Sequence, residues 1–119
     1  MATFTQNIAF AVLREVVHAK RMLREGKDDI AFTHLENAHV LGQASTRWHV
    51  YIHVLMLMWG IRQRKPKEVV GQLLRIGGAA TKTAIGLVPT GNTGGSNISP
   101  FKTLPVSSKF QAKIAKAKL

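Results

Sequence analysis

Residues 46–63 read TRWHVYIHVLMLMWGIRQ. Drawn as a helix, this stretch carries Val50, Ile52, Val54, Leu55, Met56, Leu57, Met58 and Trp59 on all sides. A helix apolar all the way round is a central one, covered by its neighbours. The run from Val50 to Ile61 falls short of the roughly 18 apolar residues that span a bilayer, so it predicts a buried helix and no integral membrane segment. Two histidines break the run. His49 and His53 lie one turn apart on a single face, which Met56 and Gly60 continue.

Working outward, the preceding segment, about Thr5 to Glu25, carries Ile8, Val12, Ala19 and Leu23 on a helical stripe. Gly26 supplies a helix stop, and Asp28 or Asp29 can cap the next helix. That second helix, about Asp29 to Leu41, packs through Ala31, Leu35 and Ala38 and ends at Gly42. Ser45 or Thr46 caps the central helix. Pro66 and Glu68 then open a fourth, whose apolar positions are Val69, Val70, Leu73, Leu74 and Ile76, with a weak point at Gly77-Gly78. Links of a few residues make consecutive helices antiparallel neighbours. The predicted fold is all-α: a small antiparallel bundle of about four helices, or two stacked helical hairpins, with an irregular C-terminal arm. Residues 1–86 form the helical part and residues 87–106 a Gly/Pro-rich arm packed on it. Residues 107–119 read SSKFQAKIAKAKL, a basic and mobile terminus that could fold on an anionic partner.

A chain of 119 residues is long enough for one such core, and 45% hydrophobic with 19% charged residues is a globular composition. It holds no cysteine, which excludes disulfides, thiolate metal sites and a cysteine nucleophile. The N-terminal MATFTQNIAF has no basic segment ahead of an apolar one, so a secretory signal is not expected and the cytoplasm is the default compartment. The net charge of +11 is uneven: residues 69–119 hold seven Lys/Arg and no acid. That imbalance suits nucleic acid or an acidic protein as partner, with Lys109, Lys113 and Lys116 on one helical face.

The residues suited to chemistry are glutamates and histidines at helical spacing. Glu36 and His39 form an E-x-x-H pair, His49 and His53 an H-x-x-x-H pair, and Glu15 with His18 a second E-x-x-H pair. Metal-binding bundles are built from inward carboxylates and such pairs on facing helices. Folding the second and third helices together about the Gly42–Thr46 turn brings Glu36, His39, His49 and His53 toward one layer, and Glu15 can reach it from the first helix. The candidate metal ligands are therefore Glu15, Glu36, His39, His49 and His53, with His18 peripheral and His34 solvated. Imidazole and carboxylate suit Zn²⁺, Fe²⁺, Mn²⁺, Ni²⁺ or Cu²⁺. A hydrogen-bonded Glu–His core without metal fits the same pattern. Gly91, Asn92, Thr93, Gly94 and Gly95 form a glycine-rich loop, either an anion cradle or, more simply, a structural turn. Ser45, Thr46, Ser107 and Ser108 have no nucleophile elbow or triad order, and no phosphate-loop or dinucleotide fingerprint is present, so an enzyme is not the favoured reading.

The stretches HLENAHVLGQ (34–43), WHVYIHVLMLMWGIRQRKPKEVVGQLLRI (48–76) and LVPTGNTGGSNIS (87–99) resemble a family of small bacterial proteins of unknown function, DUF3703. The LExAHxxGQ and GNTGG elements carry the likeness, and Glu15 with Ala19 is similar to the family's first-helix element. The resemblance implies an all-helical fold and a setting beside bacterial metal-resistance genes, and no established activity. On the motif match, Glu36, His39, His49, His53 and the GNTGG loop carry over as candidates. After Ile98 the chain departs from the expected Pro-rich ending. The function expected is divalent transition-metal binding in metal handling or sensing. The alternatives are a basic module for nucleic acid or an acidic partner, or a tetratricopeptide-like interaction scaffold; a homo-oligomer is compatible with each.

Overall fold

The computed structural model describes residues 3–84, 91–96, 98 and 102–119. Its regular elements are five helices: α1 (Phe4–Arg24), α2 (Asp28–Gly42), α3 (Thr46–Arg62), α4 (Pro66–Ala84) and α5 (Ser108–Ala117). The fold is all-α, and no strand occurs among the described residues. None of these helices is long and apolar enough to cross a membrane. Of the arm expected over 87–106, residues 87–90, 97 and 99–101 lie outside the described set.

Local chemistry sets the helix ends. Thr3 caps α1 in a reciprocal box with Gln6, satisfying two otherwise orphaned donors. At the other end Gly26 takes φ +76°, the Gly26 amide bonds Leu23 O at 3.2 Å and the Lys27 amide bonds Met22 O at 2.8 Å. This is a glycine-terminated Schellman stop. Neither Asp28 nor Asp29 caps α2: both lie inside its first turn, where their charge meets the positive end of the helix, and Lys27 holds the cap position without a side-chain bond. Ser45 caps α3. The α3–α4 link closes with the same pair of bonds as the α1 stop, Arg64 to Ile61 O and Lys65 to Gly60 O, but with Arg64 at φ 55° in place of glycine.

α1 packs closely with α2 and α3 with α4, and α2 and α3 join the two pairs; α1 meets α3 at few places. Ile8, Val12, Val16 and Ala19 of α1 enter the core with Leu35, Ala38 and Leu41 of α2 and Ile52, Met56 and Trp59 of α3. Two expectations need correcting. The central helix is covered on one side only: His49, Ile52, His53, Met56, Trp59 and Gly60 are buried, whereas Met58 is 59% exposed. α4 runs unbroken through Gly77-Gly78, and its apolar face points outward. Val70, Leu73 and Leu74 are exposed, while Glu68 and Gln72 are buried, Gln72 completely.

The basic C-terminal stretch is also placed. Phe110 and Ile114 pack against the core and Ala117 is buried, and Asn7 Nδ2 donates to Ala117 O at 3.0 Å. α5 touches α1 and α2. The segment read as a mobile terminus is thus a short amphipathic helix that closes one side of the core, because its two larger apolar residues share a face.

Candidate metal centre

The polar residues that α4 turns inward meet the histidine face of α3. His39 from α2 joins them, so that His39, His49 and His53, all buried, each bring a ring nitrogen within 4.8 Å of the other two. The rings lie 4.7–5.0 Å apart between centroids. His39 Nε2 and His53 Nε2 are 3.1 Å apart.

Partners on the far side of two rings fix where their protons sit. His39 Nδ1 lies 2.6 Å from the carbonyl oxygen of Asn92, which can only accept, so Nδ1 carries the hydrogen. His53 Nδ1 lies 2.6 Å from Gln72 Oε1. The orientation of that amide follows from its other end, where Gln72 Nε2 donates to Glu68 Oε2 at 2.6 Å and to Gly94 O at 2.9 Å. Turned round, the amide would set its oxygen against two acceptors. His53 Nδ1 is therefore a donor as well. In their neutral forms both rings point an Nε2 lone pair into the same small space.

Burial, and then the neighbouring charges of His53 and His49, push the His39 pKa well below that of an ordinary histidine, against the Asn92 carbonyl, which favours the charged form. Glu68, in turn, is held by the Ser96 amide at 3.2 Å and the Ser96 hydroxyl at 2.9 Å. A chain of groups thus runs from Ser96 through Glu68 and Gln72 to His53, with an ordered partner at each step.

The glycine-rich segment is a strap across this centre. Besides the Asn92 carbonyl on His39, Asn92 Oδ1 accepts from the Gly94 amide at 2.9 Å and Asn92 Nδ2 donates to Lys102 O at 2.7 Å. Gly94, at φ +86°, lies against the His39 ring so closely that a Cβ there would sit 2.5 Å from Cδ2. Only glycine fits both the backbone and the contact. The Gly94 and Ser96 amides are used within the chain, and the Asn92 and Gly94 carbonyls face an imidazole and an amide donor, so these parts of the strap orient side chains.

The other expected ligands are placed differently. Glu15 Oε2 lies 2.7 Å from His34 Nδ1, and Asn37 Nδ2 approaches Glu15 Oε1 at 3.5 Å. The carboxylate of α1 therefore meets α2 at His34, and is not among the residues that converge on His39. His34, expected in solvent, is half-buried in that pair, with the His18 ring stacked on it at 5.3 Å. Glu36 is half-buried near the strap. Burial first, and the charge of Glu68 second, raise its pKa against a hydrogen bond with Thr93. It too lies outside the three-histidine cluster.

Glu68, Gln72 and Ser96 are residues that reading the sequence for ligands does not find. Their only signal is that Glu68 and Gln72 share a face of α4, four residues apart, as His49 and His53 do on α3. No curated protein and no solved structure matches this chain. The profile of one family, described as a protein of unknown function, fits residues 6–114. The helices, the histidines and most of the strap fall within that span, and the chain belongs to this family, DUF3703.

Proposed function

We propose that this protein binds a divalent transition metal through His39, His49 and His53, in metal handling or sensing. The observation that carries the reading is the pair of Nε2 atoms 3.1 Å apart whose rings both donate from Nδ1. Two lone pairs at that distance repel unless a cation lies between them. A shared proton is one such cation, but the depressed basicity of His39 works against it. A metal serves both lone pairs at once. With metal–nitrogen bonds of about 2.0–2.1 Å, nitrogens 3.1 Å apart subtend about 100° at the ion, between the octahedral and tetrahedral angles.

The surroundings support the same reading. Metal-bound histidines usually donate their second nitrogen to a carbonyl or carboxylate, which fixes the tautomer and raises the basicity of the ligating nitrogen. Here the Asn92 carbonyl does so for His39 and the Gln72–Glu68 pair for His53. Three neutral imidazoles suit Zn²⁺, Cu²⁺, Ni²⁺ or Fe²⁺ better than a hard, oxygen-seeking ion. Three protein ligands leave room for water or an exogenous ligand at a further position.

Elemental analysis of protein purified without a histidine tag tests the proposal, with about one zinc, copper, nickel or iron per chain expected. Titration calorimetry with zinc and with nickel should then show the site lost in His39→Ala and in His53→Ala. Metal-free protein whose weak residual affinity is the same in both variants would overturn it.

A further inference from the structure

Away from the histidines, the two helix pairs do not close on one another completely. Where α1 and α3 draw apart they leave a pocket of about 360 Å³, within the range of small-molecule sites. Its walls are apolar: Val16 and Leu23 from α1, Leu35 from α2, and Leu55, Met58 and Trp59 from α3. The Trp59 indole is held in place by its Nε1 bond to Asp28 O at 3.0 Å and by Phe32, whose ring centroid lies 4.4 Å away. His39, His49, His53, Asn92 and Gln72 are not among its wall residues.

The polar groups at this pocket are Lys20 and Arg62, one from each side of the opening, and no acid lines it. Neither cation takes part in an ion pair or a hydrogen bond among the described residues. An apolar cleft with two uncompensated positive charges at its mouth matches a ligand with an apolar body and one anionic end. A second copy of the chain fits less well, since it brings another +11 of charge against them.

We infer that this pocket is a second binding site, for a small amphiphilic organic anion: a carboxylate on an aliphatic tail, tail against Trp59 and Leu55, carboxylate between Lys20 and Arg62. The tail gains by leaving water and the walls lose an exposed apolar surface. The carboxylate stays near the rim, where two partly exposed charges set its orientation more than its affinity.

Decanoate, decanol and decylammonium, each below its aggregation concentration, are the probes. Each is titrated into the full chain by calorimetry and by tryptophan fluorescence, with and without a chelator. Decanoate should bind once per chain, shift the tryptophan emission saturably whether or not chelator is present, and bind about tenfold tighter than decylammonium. The double variant Lys20→Glu/Arg62→Glu, both at exposed positions, should reverse that preference, and Leu55→Trp should block the site. Equal affinity for the three probes, an unchanged preference in the double variant, or no saturable binding would overturn the inference. So would a concentration-dependent dimer that decanoate does not dissociate.

Discussion

The molecule holds two groups of histidines, and they are built on opposite terms. On the α1–α2 face, His34 meets the carboxylate of Glu15 and stacks on His18. His34 Nδ1 has a carboxylate oxygen as its partner, and Glu15, His18 and His34 all keep some contact with water. At the α2–α3–α4 junction the three histidines are buried, the outer nitrogens of His39 and His53 are held by a carbonyl and an amide oxygen, and ring nitrogens of all three converge. The first group pairs imidazole with carboxylate; the second brings three ring nitrogens together, and on the function proposed above a cation joins them. Both groups draw on pairs at helical spacing, Glu15 with His18 in one and His49 with His53 in the other. What differs is the nature of the partners, acid in one and fixed neutral acceptors in the other.

Chelation gives the sharpest test of that contrast. Bound metal stabilises the folded state by mass action, about 4 kcal/mol at a thousandfold excess over the dissociation constant. Thermal unfolding with and without zinc should show that gap in the parent chain and in Glu15→Gln, and no gap in His39→Ala. A zinc-dependent gap that vanishes in Glu15→Gln would merge the two groups and break the comparison.

Gly94→Ala comes next. The new methyl must displace the His39 ring at a backbone angle that an alanine tolerates poorly, for a loss of about 3 kcal/mol. Denaturant unfolding measures it, and wild-type stability would show that the strap gives way easily. Gln72→Leu keeps the volume but removes the acceptor behind His53, and should weaken metal binding about 10–100-fold while leaving the α1–α2 face unchanged. Calorimetry with zinc reads the change directly.

In metal-free protein, acidity should act on the buried group. His39 refuses a proton that it accepts when unfolded, since its folded pKa lies below its unfolded value. The unfolded chain therefore binds more protons, and stability falls as pH drops below about 6.5, by up to about 1.4 kcal/mol per pH unit. Urea midpoints between pH 7.5 and 5.5 check the sign. A midpoint independent of pH would mean that the cluster already holds its proton. The smallest effect belongs to the α3–α4 link, where Arg64→Gly relieves a left-handed backbone and should raise stability by about 1 kcal/mol by the same urea assay.

Much of this centre is legible in the sequence, and the remainder is hidden for identifiable reasons. Gly26, Ser45 and Pro66 mark helix ends because caps and stops act locally. His39, His49 and His53 are found from spacing and from the short α2–α3 link. The partner of Glu15 is not legible, because helical spacing shows that it shares a face with His18 but not which residue of α2 crosses it; that residue is His34. α4 is read the wrong way round because a helix bearing Val70, Leu73 and Leu74 is expected to bury them. Gln72 goes in instead because His53, Glu68 and the Gly94 carbonyl all bond its amide, and two of those partners come together with it only in the tertiary fold. α5 is underrated because ten residues are too few for a stable lone helix, and docking on α1 supplies what length does not.

The reversed α4 changes how this helix can be rewritten. In a helix that buries its apolar face the aliphatic positions are those that resist substitution and the glutamine and glutamate are open to exchange. Along Pro66–Ala84 the freedoms are swapped: lysine or glutamate at 70, 73 and 74 replaces side chains that already meet water, and even a conservative change at 68 or 72 falls on the centre itself.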